Sequence, residues 1–291
     1  MATSIPGSVS RSPRASVATG PVRILAREPT AVIGLGLVGV YAFVALTVSF
    51  LPLHDPLQIS TVRLAAPTAD HPFGTDALGR DLLARVFYGA RLSMEVAVLS
   101  VAGATAAGGV LGLLSGYLGG LVDLAIGRAM DIFFAFPAIL LALGIVAALG
   151  PDPRNVVIAI AVVYTPIFAR VMRGPVLAER EKEYVEAVRA LGATRLVVAV
   201  KHILPNVLSP FVVQGTVALS QAILIEASLS YLGLSAQPPT PSWGNMLNEG
   251  RTYLETAPWI SVFPGIAIMV TVLAFNLIGD GLRDILDPSA Q

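Results

Sequence analysis

The side chains that make and break bonds in enzymes are thinly supplied in this chain. There is no cysteine, which removes disulfides, thiolate metal sites and cysteine nucleophiles together. His54, His71 and His202 lie far apart, without the H-x-x-x-H or H-E-x-x-H spacing that puts two ligands on one helix face, so no metal site is expected. The only lysines, Lys182 in EKE and Lys201 in VKH, do not follow a glycine. A phosphate-cradling loop needs G-x-x-x-x-G-K-[ST], so no ATP hydrolysis by this chain, and no cofactor within it, is expected. Formal net charge is zero, which gives no sign of nucleic acid as a partner.

Two features stand out against that background. One is Glu226, a lone carboxylate well inside an apolar run, about 10 Å from the outer end of its span at 1.5 Å rise per residue. Ionisable groups at such depth face a bundle interior or a cavity. The other is the charged, glycine-punctuated stretch EYVEAVRALGATRLVVAVKHILPNVL at residues 183–208. Gly279-Asp280 also ends an apolar run, in partial likeness to the G-x-G-D pattern of intramembrane aspartyl proteases. Leu277 occupies the first glycine position, and a solvated helix terminus is the better account of Asp280.

The elements that must carry these residues follow from composition. Of the 291 residues, 55% are hydrophobic and 13% charged, and the mean hydropathy is +0.75. A soluble domain carries about 25% charged residues, so this chain has too little polar surface to face water and belongs in a membrane. Crossing a hydrocarbon core of ~30 Å takes about 20 apolar residues. Six stretches qualify: Ala31–Leu51, Leu92–Ser115, Ala129–Leu149, Val156–Val171, Leu208–Leu232 and Trp259–Leu277, the fourth short enough to run on into the charged insert. The Ser-, Pro- and Arg-rich residues 1–29 read as a disordered tail, and the first span starts too late and runs too long for a cleaved signal, so it is expected to stay as an anchor.

Lys and Arg favour cytoplasmic loops. With the N-terminus inside, that side holds Arg11, Arg14, Arg23, Arg27, Arg128, Arg170, Arg173, Arg180, Lys182, Arg189, Arg195, Lys201 and Arg283, against Arg63, Arg80, Arg85, Arg91, Arg154 and Arg251 on the other. Both termini and the 183–208 stretch are therefore expected on the cytoplasmic side. Within that stretch Tyr184, Val185, Val188 and Leu191 share a helical face, Gly192 ends the helix in a left-handed turn, and a second short helix near Thr194–Ile203 is closed by Pro205. The result is a helix-turn-helix too short to fold alone.

Glu186-Ala187, Gly192 six positions after the glutamate, and Leu204-Pro205 resemble the EAA loop of ATP-binding-cassette importer permeases, whose pattern is EAA, three residues, Gly, nine residues, I-x-L-P. Val188 stands for the second Ala, and His202 stands where Ile is usual. FGTDALGRDLLARVFYGARLS (73–93), GYLGGLVDLAIGRAMDIFFAFP (116–137), EASLSYLGL (226–234), PPTPSWGNML (238–247) and NLIGDGLRDILDP (276–288) are similar to the C-type permease subunits of oligopeptide and dipeptide importers, a likeness running from about residue 30 to 288.

The resemblance implies an all-α, six-span permease domain over residues 30–288 with a coupling loop at 174–207 and a tail at 289–291, in a prokaryotic inner membrane. It implies four kinds of partner: a homologous second permease subunit, cytoplasmic ATP-binding subunits that hold ATP and magnesium, an extracytoplasmic binding protein and a peptide solute, with glutathione or nickel complexes as alternatives. Glu183, Glu186, Ala187, Arg189, Leu191, Gly192 and Ala193 would form the surface that meets the ATPase. Glu226 would contact a peptide's amino terminus, or else hydrogen-bond to Gln221, Asn276 or the partner permease.

Three packing expectations complete the reading. Gly108, Gly112, Gly116 and Gly120 recur every four residues as a small-residue stripe on span two. Pro137, Pro166, Pro210 and Pro264 could kink spans. Trp243, Met246, Leu247, Gly250, Tyr253 and Leu254 share one face of a helix lying on the outer surface and capped by Ser242, while Asp76–Arg80 and Asp81–Arg85 have i,i+4 spacing.

Overall fold

The computed structural model describes residues 29–286, and among them the regular structure is helical, with one isolated β-bridge, Thr75 to Asp81. Of the tails expected over 1–29 and 289–291, residues 1–28 and 289–291 lie outside the described residues, and Pro29 belongs to the first helix instead of the tail. The helices are α1 (Pro29–Thr47), α2 (Leu82–Leu118), α3 (Gly120–Phe134), α4 (Ala138–Leu149), α5 (Pro153–Arg180), α6 (Glu183–Ala190), α7 (Arg195–Val197), α8 (Leu208–Tyr231), α9 (Trp243–Gly250) and α10 (Trp259–Leu286).

Among the described residues, five helices are long and apolar enough to cross a membrane: α1 with its following 3₁₀ turn, α2, α5, α8 and α10. The expected third span differs. It is split into α3 and α4, bent by 89° to one another, so the six-span count holds only if the pair acts as one broken span. Pro137 is the cause: it lacks the N–H that would continue the ladder, and its ring drives Phe136 away from helical geometry. Its own ψ of 133° starts α4 afresh. Pro166 and Pro264, by contrast, lie inside continuous helices, and Pro210 falls in the first turn of α8, where a missing N–H costs nothing.

Two helices outrun the hydrocarbon. With 37 residues, α2 is about 55 Å long. It starts ten residues before the expected span because Asp81 caps it, its carboxylate accepting from Ala84 N. The 28-residue α5 is about 42 Å long and runs on into the charged insert.

The largest interface between elements joins α2 to α5. Gly108, Gly112 and Gly116 make it possible: a Cβ on Gly108 would stand 2.6 Å from the Thr165 carbonyl, one on Gly112 would strike Ala169 O and Met172, and one on Gly116 would stand 2.8 Å from Val176. Close backbone approach of this kind replaces the missing hydrophobic drive between helices in lipid. Gly120 is not part of the stripe. It has φ +55°, begins α3 and faces open space.

Residues 51–81 and α9 close one end of the bundle, and α6 with α7 closes the other. The amphipathic α9 was expected on the membrane surface, capped by Ser242; the cap is present, but the helix is embedded. Trp243 and Met246 are fully buried, and Trp243 Nε1 donates to Val86 O at 2.9 Å on α2. Only Leu254, beyond the helix, is left exposed from that face among its large apolar residues.

Candidate functional site: the loop between α5 and α8

The segment 181–207 is held from inside and bare outside. Val185 of α6 is completely buried, and Val188 packs on the core. Tyr184 is a hub: its hydroxyl donates to Glu179 Oε1 at 2.6 Å at the end of α5 and accepts from Asn206 Nδ2 at 3.0 Å, while Asn206 also donates to the His202 carbonyl. Lys182 pairs with Glu179 Oε2 at 2.7 Å. Desolvation, and after it the Glu179 bond, raises the Tyr184 phenol above its ordinary value, so the hub stays protonated at neutral pH. The hydrogen bond to Glu179 likewise raises the Lys182 ammonium.

The turn after α6 explains the glycine. Gly192 has φ +86°, its N–H bonds to Arg189 O at 3.0 Å, and the N–H of Ala193 reaches Val188 O at 3.3 Å. This is the Schellman arrangement, which requires a left-handed residue at Gly192. Thr194 then caps the next helix, Oγ1 accepting from Val197 N. That helix is shorter and less regular than expected. After α7 it widens into a π turn over Val198–Ile203, and Pro205 lies in a 3₁₀ turn, Leu204–Asn206, instead of ending the segment outright.

The outward face collects most of the residues singled out from sequence. Glu183, Glu186, Ala187, Arg189 and Gly192 are exposed, and Ala193 is half-buried. Leu191 does not join Val185 inside as the shared face suggests: it is 88% exposed. Leu196 and Val200, one helical turn apart and not singled out beforehand, are exposed with it, while Val198, Ala199 and Ile203 point inward. The i,i+4 spacing of Leu196 and Val200 was available as a signal, but the run RLVVAV is too uniformly apolar to show which side is buried. Among the described residues neither Glu183 nor Glu186 is in an ion pair.

Behind the loop, the ends of α2, α3 and α5 are locked together. Arg173 donates through Nε and Nη2 to the two carboxylate oxygens of Asp123 at 2.5 and 2.6 Å, and Ser115 donates to the same Asp123. Arg180 donates to Gly116 O at 2.8 Å, and the Arg189 guanidinium lies 5.3 Å from the Tyr117 ring centre. α6 is thus in contact with both α2 and α5.

Glu226 is elsewhere and differently placed. It is fully buried, accepting from Ser93 Oγ of α2 at 2.8 Å and from Ser235 Oγ at 3.4 Å. Neither Gln221 nor Asn276 is its partner; Asn276 accepts from Ser220. Asp280 is exposed on α10.

At the far end of the bundle, Arg80 Nε meets Asp76 at 2.6 Å as its spacing suggests, and Arg80 Nη2 reaches Glu249 of α9 at 3.0 Å. The second expected pair does not form. Asp81 is occupied by the α2 cap and by His71 Nδ1 at 2.8 Å, so Arg85 turns to Glu249 and Asp76.

A bundle of membrane-length apolar helices with small-residue seams, and a surface loop fastened to two of them, defines a class: an all-helical membrane protein of several spans. Residues 108–291 match the model of the binding-protein-dependent transport system inner membrane component, and the chain belongs to that family. It is 46% identical over 268 residues to the dipeptide transport system permease protein DppC of Alkalihalophilus pseudofirmus, covering 92% of this chain and 88% of that one. The glutathione transport system permease protein GsiD of Pectobacterium atrosepticum is 46% identical over 77% of this chain and 75% of its own. The probable D,D-dipeptide transport system permease protein DdpC of Escherichia coli is 45% identical over 83% of this chain and 81% of its own. Among solved structures, a chain of the methionine ABC transporter MetNI in an inward-facing conformation superimposes with a TM-score of 0.56 at 19% identity, over 71% of this chain and 96% of that one, which supports the fold.

Proposed function

We propose that this chain is one permease subunit of an ATP-driven importer of short peptides, working beside a homologous second permease, with ATP and magnesium held by cytoplasmic partner subunits and solute brought by an extracytoplasmic binding protein. The observation that carries the ATPase coupling is the loop's two-sidedness: Val185 and Tyr184 fix α6 to the bundle, and the otherwise exposed Arg189 reaches back to Tyr117 of α2, while Glu186 and Leu191 are held out and Glu186 has no ion-pair partner among the described residues. The inner face passes on a displacement received at the outer one. The dipeptide transport permease relatives support a peptide solute; the glutathione permeases, at similar identity, support glutathione, itself a short peptide, as the second reading.

Glu226 spends its oxygens on two serines, so we assign it to holding α8 against α2 and leave selectivity to the binding protein. Moving a two-state transporter from 1:99 to 99:1 takes ~5.5 kcal/mol of differential binding, which nucleotide-driven closure would deliver through α6. The orientation follows the Lys and Arg distribution, with both termini and α6 in the cytoplasm.

Reconstitution into liposomes tests this reading. Peptide uptake should require the ATPase subunits and ATP, and uptake in their absence would refute it. Because the chain has no cysteine, Arg180→Cys should resist an impermeant thiol reagent in intact cells while Thr68→Cys and Asn248→Cys react. Labelling of Arg180→Cys from outside would put the loop on the wrong face.

A further inference from the structure

The histidines that look isolated in sequence are not isolated in space. His54 lies just past the 3₁₀ turn that follows α1, His71 lies in the irregular segment before α2, and Asp81 caps α2. One donor atom from each of the three lies within 4.8 Å of the other two. The imidazole rings of His54 and His71 are 5.2 Å apart between centres and tilted by 38°.

Two of the three are already fixed. Asp81 is buried, with Oδ1 committed to the Ala84 amide, which leaves Oδ2 aimed at His71 Nδ1, 2.8 Å away. The His71 backbone is pinned on both sides: its N–H donates to Thr68 Oγ1, and its carbonyl accepts from the amides of Thr68 and Gly74. His54 is exposed, so its side chain is the adjustable member. Ligand atoms in a tetrahedral first-row site lie about 3.3 Å apart, given bonds of 2.0–2.1 Å. Binding an ion would turn the exposed His54 imidazole inward and replace the 2.8 Å His71–Asp81 hydrogen bond with two bonds to the metal.

We propose that His54, His71 and Asp81 bind one divalent transition-metal ion, of the zinc, cobalt or nickel type, at the end of the bundle opposite the 181–207 loop. Two imidazoles and a carboxylate suit such ions, whereas calcium and magnesium prefer all-oxygen shells and copper(I) prefers thiolates. Three protein ligands leave coordination positions for water or a solute group. The ion would join the chain leaving α1 to the cap of α2, which 31 residues, 51–81, separate along the sequence. This holds whatever the solute, and whichever way the chain is oriented.

The full-length chain, purified in detergent without a histidine tag, is titrated with Co²⁺ as the spectroscopic probe and with Zn²⁺ in competition. We expect visible d–d bands saturating at one ion per chain, displacement by Zn²⁺, and a rise in Tm with metal. His54→Ala and His71→Ala should each weaken binding by at least ~10-fold, and His202→Gln should leave it intact. His54→Ala, at an exposed position, keeps the test valid if His71→Ala misfolds. Absence of saturable binding, or binding and metal-dependent Tm that survive His54→Ala, would overturn the site.

Discussion

The two ends of this bundle spend their charged residues in opposite ways. At the α9 end, Asp76, Arg80, Asp81 and Arg85 are nearly or wholly buried and are paired with one another, Glu249, His71 or a helix cap, Arg85 through Nη2 while its Nε and Nη1 make no hydrogen bond among the described residues. At the α6 end, Glu183 and Glu186 face solvent, with no ion pair among the described residues, beside an exposed Leu191, Leu196 and Val200. Burying a charge is tolerable only when it is paired and hydrogen-bonded, so the first network speaks of a region that must hold its shape. Among the described residues the carboxylates beside these exposed leucines have no ion-pair partner, which suits the docking surface proposed for this loop.

That contrast can be broken at either end. The largest effect is expected at Trp243, whose ring fills the space between α9 and α2 and whose indole N–H is bonded there: Trp243→Ala should cost about 3–5 kcal/mol and drop Tm steeply. Arg80→Ala should come next, at about 3 kcal/mol, because Asp76 is then buried without its 2.6 Å partner. In both variants the protein that survives in the membrane should still bind the ATPase partner. Gly192→Val should be smaller in stability, about 1–3 kcal/mol, since a β-branched residue is strained at φ +86°; here ATPase association should fall by more than the Tm suggests. Glu186→Lys should move stability least, within about 0.5 kcal/mol, yet reduce ATPase association and uptake. Thermal unfolding and affinity co-purification, measured on the same four variants, check the ordering; a Glu186→Lys protein that unfolds like Trp243→Ala would erase the distinction between the two ends.

Much of this plan can be read from residue order, and the exceptions have physical causes. Apolar length marks the spans, and Gly192 marks its own turn because a left-handed residue is nearly a glycine privilege. Pro137 was visible as a kink, yet whether a proline bends or breaks a helix depends on what packs around it, as Pro166 within continuous α5 shows. The amphipathic face of α9 was legible, but periodicity cannot say whether an apolar face meets lipid or a neighbouring helix; Gly89, against which the Trp243 ring lies, settles that. Asp81–Arg85 had helical spacing and failed because Asp81 is the residue before the helix, where capping takes its carboxylate. His54, His71 and Asp81 carried no signal, since irregular chain has no period and only the fold brings them together.

The claim that the bare face of the 181–207 loop is where force from ATP enters can be tested by cross-linking in the assembled, membrane-embedded complex. A single Leu191→Cys, at a side chain 88% exposed on a chain without other cysteines, should be joined to an ATPase subunit by a short thiol-to-amine cross-linker, with a yield that changes on adding nucleotide. Arg251→Cys, exposed at the opposite end, should form none. Cross-linking of Arg251→Cys but not Leu191→Cys to the ATPase, in a complex that still imports, would contradict the account.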